Sequence, residues 1–106
     1  MSIVAYKLQM VDVRTTPEFD KWLKGLRDTR AKAKVLVRLQ RLGLGNPGDV
    51  KPIGEGISEM RIDFGPGYRV YFKQAGNVAT ALIGGDKSSQ DSDASNAKEI
   101  AKELED

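Results

Sequence analysis

The chain has 106 residues, of which 40% are hydrophobic and 30% charged, with a formal net charge of +2 and neither cysteine nor histidine. That length supports one domain, residues 1–106, with a modest core, so a functional site has to lie on its surface or in a shallow cleft. Without Cys or His the chain has no disulfides, thiol nucleophiles, Cys/His zinc sites, imidazole acid–base groups or Ser-His-Asp triad.

Ile3 to Met10 is rich in strand formers and predicts a first strand. Thr16-Pro17-Glu18 reads as a helix start: Thr16 caps, Pro17 takes the first helical position and Glu18 favours the positive end of the dipole. Phe19, Trp22, Leu23 and Leu26 then recur at helical spacing, and Trp22 reads as core. Asp28 is positioned to cap a second helix over about Thr29 to Leu42, with Val35, Leu36, Leu39 and Leu42 as its apolar stripe. Between Lys21 and Arg41 eight cations, Arg38 and Arg41 among them, face a single acid, Asp28. That pattern fits a solvated helix face or a nucleic-acid contact.

Gly43 to Gly56 reads as a loop, since Gly43, Gly45, Asn46-Pro47-Gly48-Asp49, Pro52 and Gly54 all break regular structure. Its glycine spacing matches no phosphate-cradling fingerprint. Arg61 to Phe72 follows as a hairpin around Gly65-Pro66-Gly67. With Phe64 opposite Tyr68, the register places Met60, Ile62, Phe64, Tyr68, Val70 and Phe72 on one apolar face. The other face then carries Glu59 opposite Lys73, Arg61 opposite Tyr71 and Asp63 opposite Arg69; such pairs contribute about 0.2–1 kcal/mol each. Gln74 to Asn77 is a turn, Val78 to Ile83 a buried strand ending at Gly84-Gly85, and residues 94–104 an acidic C-terminal helix with Ala97, Ile100, Ala101 and Leu104 as its stripe. The element order predicts an α+β domain: an N-terminal strand, a two-helix hairpin, a three-stranded antiparallel meander joining a twisted sheet, and the C-terminal helix.

No segment approaches the roughly 20 apolar residues of a membrane span, and no signal-peptide core is present, so a cytoplasmic protein without a membrane partner is expected. Residues 1–87 carry a net charge of +6 and residues 88–106 a net charge of −4. A basic body with an acidic tail fits an anionic target or a solvated surface. Arg61, Arg69, Tyr71 and Lys73 on the polar hairpin face, with Lys51 before it and Lys87 beyond the last strand, suit an RNA strand: cations hold phosphates and Tyr71 stacks on a base. RNA cleavage needs neither histidine nor metal, because the 2′-OH attacks the adjacent phosphate and arginine's planar fork stabilises the charge that develops. Lysine and tyrosine, with ordinary pKa values near ~10.4 and ~10, need neighbouring cations to serve as acid or base at neutral pH.

Phe19-x-x-Trp22-Leu23, Gly45-Asn46-x-Gly48-Asp49-x-Lys51, Glu59-x-Arg61-Ile62, Gly65-Pro66-Gly67-Tyr68-Arg69-Val70-Tyr71-Phe72 and Gly84-Gly85-Asp86-Lys87-x-x-Gln90 resemble the addiction-module killer proteins, a HigB-like, phage-derived branch of the RelE/ParE toxin superfamily. The resemblance covers most of the chain. It implies that fold and a bacterial type II toxin that cleaves mRNA, usually on the ribosome, is neutralised by a cognate antitoxin, often a helix-turn-helix protein, and meets operator DNA only through that antitoxin. No cofactor is implied. Arg69 resembles the phosphate-stabilising arginine of RelE, and Arg61, Lys51 and Lys87 lie near its other cations. Lys73, Arg38, Arg41 and Gln90 are candidate RNA contacts. A tyrosine near the RelE C-terminus has no counterpart after Lys87, and the histidines of other HigB-like and YoeB-like enzymes are missing; Tyr71 is the candidate substitute. The alternatives are a ParE-like inhibitor of DNA gyrase, which cleaves nothing, and a non-catalytic antitoxin-binding module.

Overall fold

The computed structural model describes residues 10–105 of the chain. The strand expected over Ile3 to Met10 lies outside the described residues except for Met10, which belongs to no strand. The first described strand is β1 (Asp12–Thr15), followed by α1 (Pro17–Gly25), α2 (Thr29–Gly43), β2 (Val50–Gly54), β3 (Ile57–Ile62), β4 (Tyr68–Ala75), β5 (Val78–Asp86), a 3₁₀ turn (Lys87–Ser89) and α3 (Gln90–Glu105). The strands form one mixed sheet in the order β1-β5-β4-β3-β2, with β1 parallel to β5 and the other pairs antiparallel.

Both helix starts follow from their caps. The Thr16 hydroxyl oxygen accepts from Phe19 N–H at 3.0 Å while its own proton goes to Leu82 C=O at 2.7 Å, tying the start of α1 to the centre of β5. Asp28 accepts from the backbone of Arg30 and Ala31 at the head of α2. The buried stripe of α2 runs through Ala31, Val35, Leu39 and Leu42; Leu36, expected inside, is half exposed because it sits about 100° around the helix from Val35.

The expected Gly43–Gly56 loop contains a strand. Pro52 is tolerated in β2 because β2 is an edge strand, where a missing N–H costs no ladder bond on the open side. The turn into β3 uses positive φ at Gly54, Glu55 and Gly56.

In the hairpin the faces are as expected and the pairs are not. Arg61 lies opposite Arg69, Ile62 opposite Tyr68, Glu59 opposite Tyr71 and Ile57 opposite Lys73. The slip from the expected register is two residues, which preserves every side chain's face. Its cause is a longer loop: Phe64 N–H turns back to Ile62 C=O and Gly67 N–H to Phe64 C=O, so Asp63 and Phe64 leave the ladder. Phe64 packs instead against the helical side of the core, with the Lys34 ammonium 5.2 Å from its ring centre.

Two cores result, one on each side of the sheet. Val35, Leu39 and Leu42 of α2 and Phe19 of α1 pack on Met60, Ile62, Val70, Phe72, Ala79 and Ala81. On the opposite side Ala97 and Ala101 of α3 pack on Ile57, Tyr71 and Leu82. Leu104, expected in the helix stripe, is exposed. The strand β5 runs through Gly84 and Gly85 rather than ending before them. Successive strand residues face opposite sides, and here neither side has room for a side chain: a Cβ on Gly84 would come within 2.3 Å of the Trp22 ring, and one on Gly85 within 1.8 Å of the Asp93 carboxylate.

These contacts predict that Gly84→Ala and Gly85→Ala each lower stability by about 1–3 kcal/mol through overpacking. Urea unfolding measures both, and only Gly84→Ala should also shift the Trp22 emission of the folded state.

Candidate functional site

Arg61 and Arg69 stand directly opposite each other on the α3 side of the sheet, at the end of the hairpin. With Asp49, Lys87 and the Gly65–Gly67 turn they line an open groove of about 450 Å³. Lys87 reaches it because β5 runs on past Arg69: a Cβ on Gly67 would lie 3.6 Å from Lys87 Cβ and 3.8 Å from Arg69 Nη1, so this glycine is the spacer between the two cations. Arg61, Arg69 and Lys87 therefore line one groove.

Each arginine is held by a carboxylate. Arg61 Nη2 donates to Asp49 Oδ1 at 2.9 Å. Arg69 Nε lies 3.5 Å from Glu59 Oε1, too long and poorly aligned to count as a hydrogen bond but close enough for an ion pair. The Glu59 side chain is only 3% exposed and that of Arg69 13%. Glu59 Oε2 accepts from Tyr71 Oη at 3.1 Å and from Gln90 Nε2 at 3.1 Å, so both of its oxygens are engaged. This carboxylate, which the expected register assigned to Lys73, is the partner of Arg69 that sequence reasoning missed. Its signal lay in the spacing: Glu59 shares a strand face with Arg61 and, in the observed register, pairs with Tyr71.

Tyr71 is 0% exposed, sealed under α3 within the second core. A base-stacking platform needs an open ring face, so the expected stacking role is corrected. Burial first, then the charge and hydrogen bond of Glu59, push the Tyr71 phenol well above its ordinary value, with Arg69 opposing. It is a neutral hydrogen-bond donor at physiological pH and no substitute for a proton-transferring residue. Gln90, expected on RNA, spends its amide N–H on Glu59 and its backbone C=O on the Tyr71 hydroxyl at 3.4 Å.

Lys73, also on the polar face, sits at the far end of β4 and is paired with Glu105 of α3. It does not line the groove, and its ion pair locks the last turn of the helix to the sheet. Arg38 is a clamp. Its guanidinium donates to the backbone C=O of Arg61 at 2.6 Å, of Pro47 at 3.0 Å and of Asp49 at 3.3 Å, with Gly48 so close that a Cβ there would meet Nη2 at 2.9 Å. Burial lowers the Arg38 pKa, an effect that Asp49 opposes and Arg41 reinforces. Arg38 thus delivers Asp49 to Arg61 and has little left for RNA. Arg41 is exposed on α2 and does not line the groove. Lys51 is exposed on β2 opposite Glu59, two ladder positions from Arg61 on the same face and outside the groove lining. Asp86 accepts from the backbone and hydroxyl of Ser88, which hold its carboxyl below the usual range and cap the turn presenting Lys87.

No family model matches the chain. An uncharacterised protein of Haemophilus influenzae is 52% identical to it over 95 residues, spanning 89% of this chain and 96% of that one. In fold the chain is similar to a member of the chromosomal ParDE TA (toxin–antitoxin) system from P. aeruginosa, with a TM-score of 0.60 and 14% identity over 73% of this chain and 96% of the other. It is likewise similar to the conserved hypothetical protein HP0894 from Helicobacter pylori, with a TM-score of 0.50 and 19% identity over 74% and 97%. The mixed five-stranded sheet and its flanking helices thus share their fold with these two structures.

The raised Tyr71 pKa has a signed consequence. Between the ordinary tyrosine value and its own, the folded state keeps a proton that the unfolded state has released, so this residue's stabilising contribution, fully present below about pH 10, falls as pH rises further. Denaturant melts between pH 9 and 11 should show that decline in the native chain and a shallower one in Tyr71→Phe.

Proposed function

Because this chain belongs to one family with the Haemophilus influenzae protein and carries a fold of the RelE/ParE type, we propose that it is the toxin of a toxin–antitoxin pair whose groove holds an RNA phosphodiester for cleavage. The observation that carries this reading is the convergence of Arg61, Arg69 and Lys87 on one open groove. Like charges directly opposite on a ladder destabilise a sheet, and Asp49 and Glu59 offset that repulsion within the fold.

The chemistry follows from that geometry. A 2′-oxygen attacks its own 3′-phosphorus, the bond to the 5′-oxygen breaks, and a 2′,3′-cyclic phosphate and a 5′-hydroxyl result. Arg69 and Arg61 face the non-bridging oxygens, where negative charge grows, and their fixed forks suit a phosphate better than mobile ammonium groups do. Lys87, in the groove lining, is the cation placed to assist proton transfer, whereas Lys51 on β2 lies outside that lining. With Tyr71 withdrawn into the core, the groove has neither a histidine nor an exposed tyrosine among its described lining residues. A substrate already held in line for attack then supplies most of the acceleration, which is the reason for assigning ribosome-bound mRNA as the target.

The natural partner is a cognate antitoxin, of helix-turn-helix type by the resemblance, with operator DNA reached through the complex. An acidic segment of such a partner is complementary to a basic groove. The ParE-like alternative places toxicity on DNA gyrase and leaves the groove idle.

Brief induction of the native gene should arrest growth and create new internal 5′ ends in cellular mRNA. Arg69→Ala and Arg61→Ala should each slow cleavage by about 10²–10³-fold, as for loss of a donor to a developing oxyanion. A DNA-damage response without new 5′ ends would establish the gyrase mode, and full toxicity of the double variant would remove the groove from the mechanism.

A further inference from the structure

Beneath the groove lies a buried polar group that phosphate binding does not require. Glu59 is 2% exposed, and its charge lies beside cations meant for an anionic substrate. Electrostatics alone make it a liability: a carboxylate next to Arg69 opposes the binding of any phosphate. What it offers in return is direction. Oε2 is held by the hydroxyl of Tyr71 and the amide of Gln90, which leaves Oε1 facing Arg69 Nε. That nitrogen is buried and makes no hydrogen bond among the described residues, so Glu59 is its counter-charge. With Nε turned to the sheet, the terminal nitrogens extend past Gly67 toward the groove. Arg61, directly opposite, would otherwise push the Arg69 head away.

We propose that Glu59 is a positioning residue for Arg69, itself fixed by Tyr71 and Gln90, so that α3 aims the guanidinium through a chain of polar contacts. This inference rests on the phosphodiester reading of the groove. It assigns the Glu59-x-Arg61 spacing and the buried Tyr71 one joint task, to fix a cation that a strand alone would leave free to swing.

A split between binding and turnover separates aiming from charge screening. Three quantities are compared in the native chain and Glu59→Gln: the affinity for a non-cleavable 2′-O-methyl oligoribonucleotide, the cleavage rate on ribosome-bound mRNA, and the Arg69 Nε–Hε signal in ¹H–¹⁵N spectra. Removing a negative charge should leave binding unchanged or tighter, while a misaimed arginine lowers cleavage by about 10–100-fold, the usual range for residues that orient a reacting group from behind. The Hε signal should move or broaden. Glu59→Asp should recover part of the rate, and Tyr71→Phe, which deletes one oxygen and keeps the carboxylate, should leave binding unchanged and shift cleavage and the Hε signal the same way by a smaller amount.

Cleavage that is unchanged or faster in Glu59→Gln, or an unmoved Hε signal, overturns the proposal. If Glu59→Gln does not fold, Tyr71→Phe and Gln90→Ala, which leave the carboxylate in place, decide it by the same split. Should Arg69→Ala cleave like the native chain, the phosphodiester reading itself fails, and the Hε signal still reports whether Glu59 orients the arginine.

Discussion

The pairing of Arg61 with Arg69 is the constraint that organises this molecule. Like charges directly opposite on a ladder destabilise a sheet. The fold answers with one carboxylate for each. Asp49 reaches Arg61 because Arg38 of α2 holds three carbonyls around the loop before β2. Glu59 reaches Arg69 because Tyr71 and Gln90 fix it from the other side. Elements from both faces of the sheet are thus committed to two cations at one strand end.

How much of this was legible in the sequence depended on periodicity. Alternation along Glu59–Arg61 and Arg69–Lys73 identifies which side chains share a face, and a slip of two residues leaves that assignment intact. It does not identify which residues pair, because pairing depends on how many residues the turn consumes. Gly65-Pro66-Gly67 looked like the whole turn, yet Phe64 could bury its ring only by leaving the ladder, and it took Asp63 with it. Partners that were expected to be Asp63 with Arg69 and Glu59 with Lys73 became Glu59 with Arg69 and Glu105 with Lys73. Apolar patterning was equally silent on β2, since Pro52 and Gly54 argue against a strand unless the edge position is already known.

The second layer was the larger omission. A face carrying arginines, a tyrosine and a lysine reads as solvent-facing, and only tertiary packing shows that α3 lies across half of it. The helix is a weak apolar stripe of Ala97 and Ala101, so nothing in its composition announces that it seals a tyrosine. Small residues are what permit the close approach. The consequence divides the candidate RNA residues: Arg61, Arg69 and Lys87 remain at an open groove, Arg38, Gln90 and Lys73 are bonded into the scaffold, and Tyr71 moves from surface to core.

Gly84 and Gly85 explain how that scaffold closes around the groove. One glycine admits the face of Trp22 from α1, the next admits the Asp93 carboxylate from α3, and both lie on the last residues of β5. Asp93 takes the Ser89 hydroxyl, and Ser89 is the last residue of the turn on which Lys87 is mounted. The two helices therefore grip opposite sides of the strand that carries the third cation, a few residues before it projects. A side chain at either glycine would lift one helix away, and lifting α3 would withdraw Gln90 from Glu59. The pair of glycines, which as sequence marked only a strand end, is the point at which packing on both faces is converted into the placement of charge at the groove.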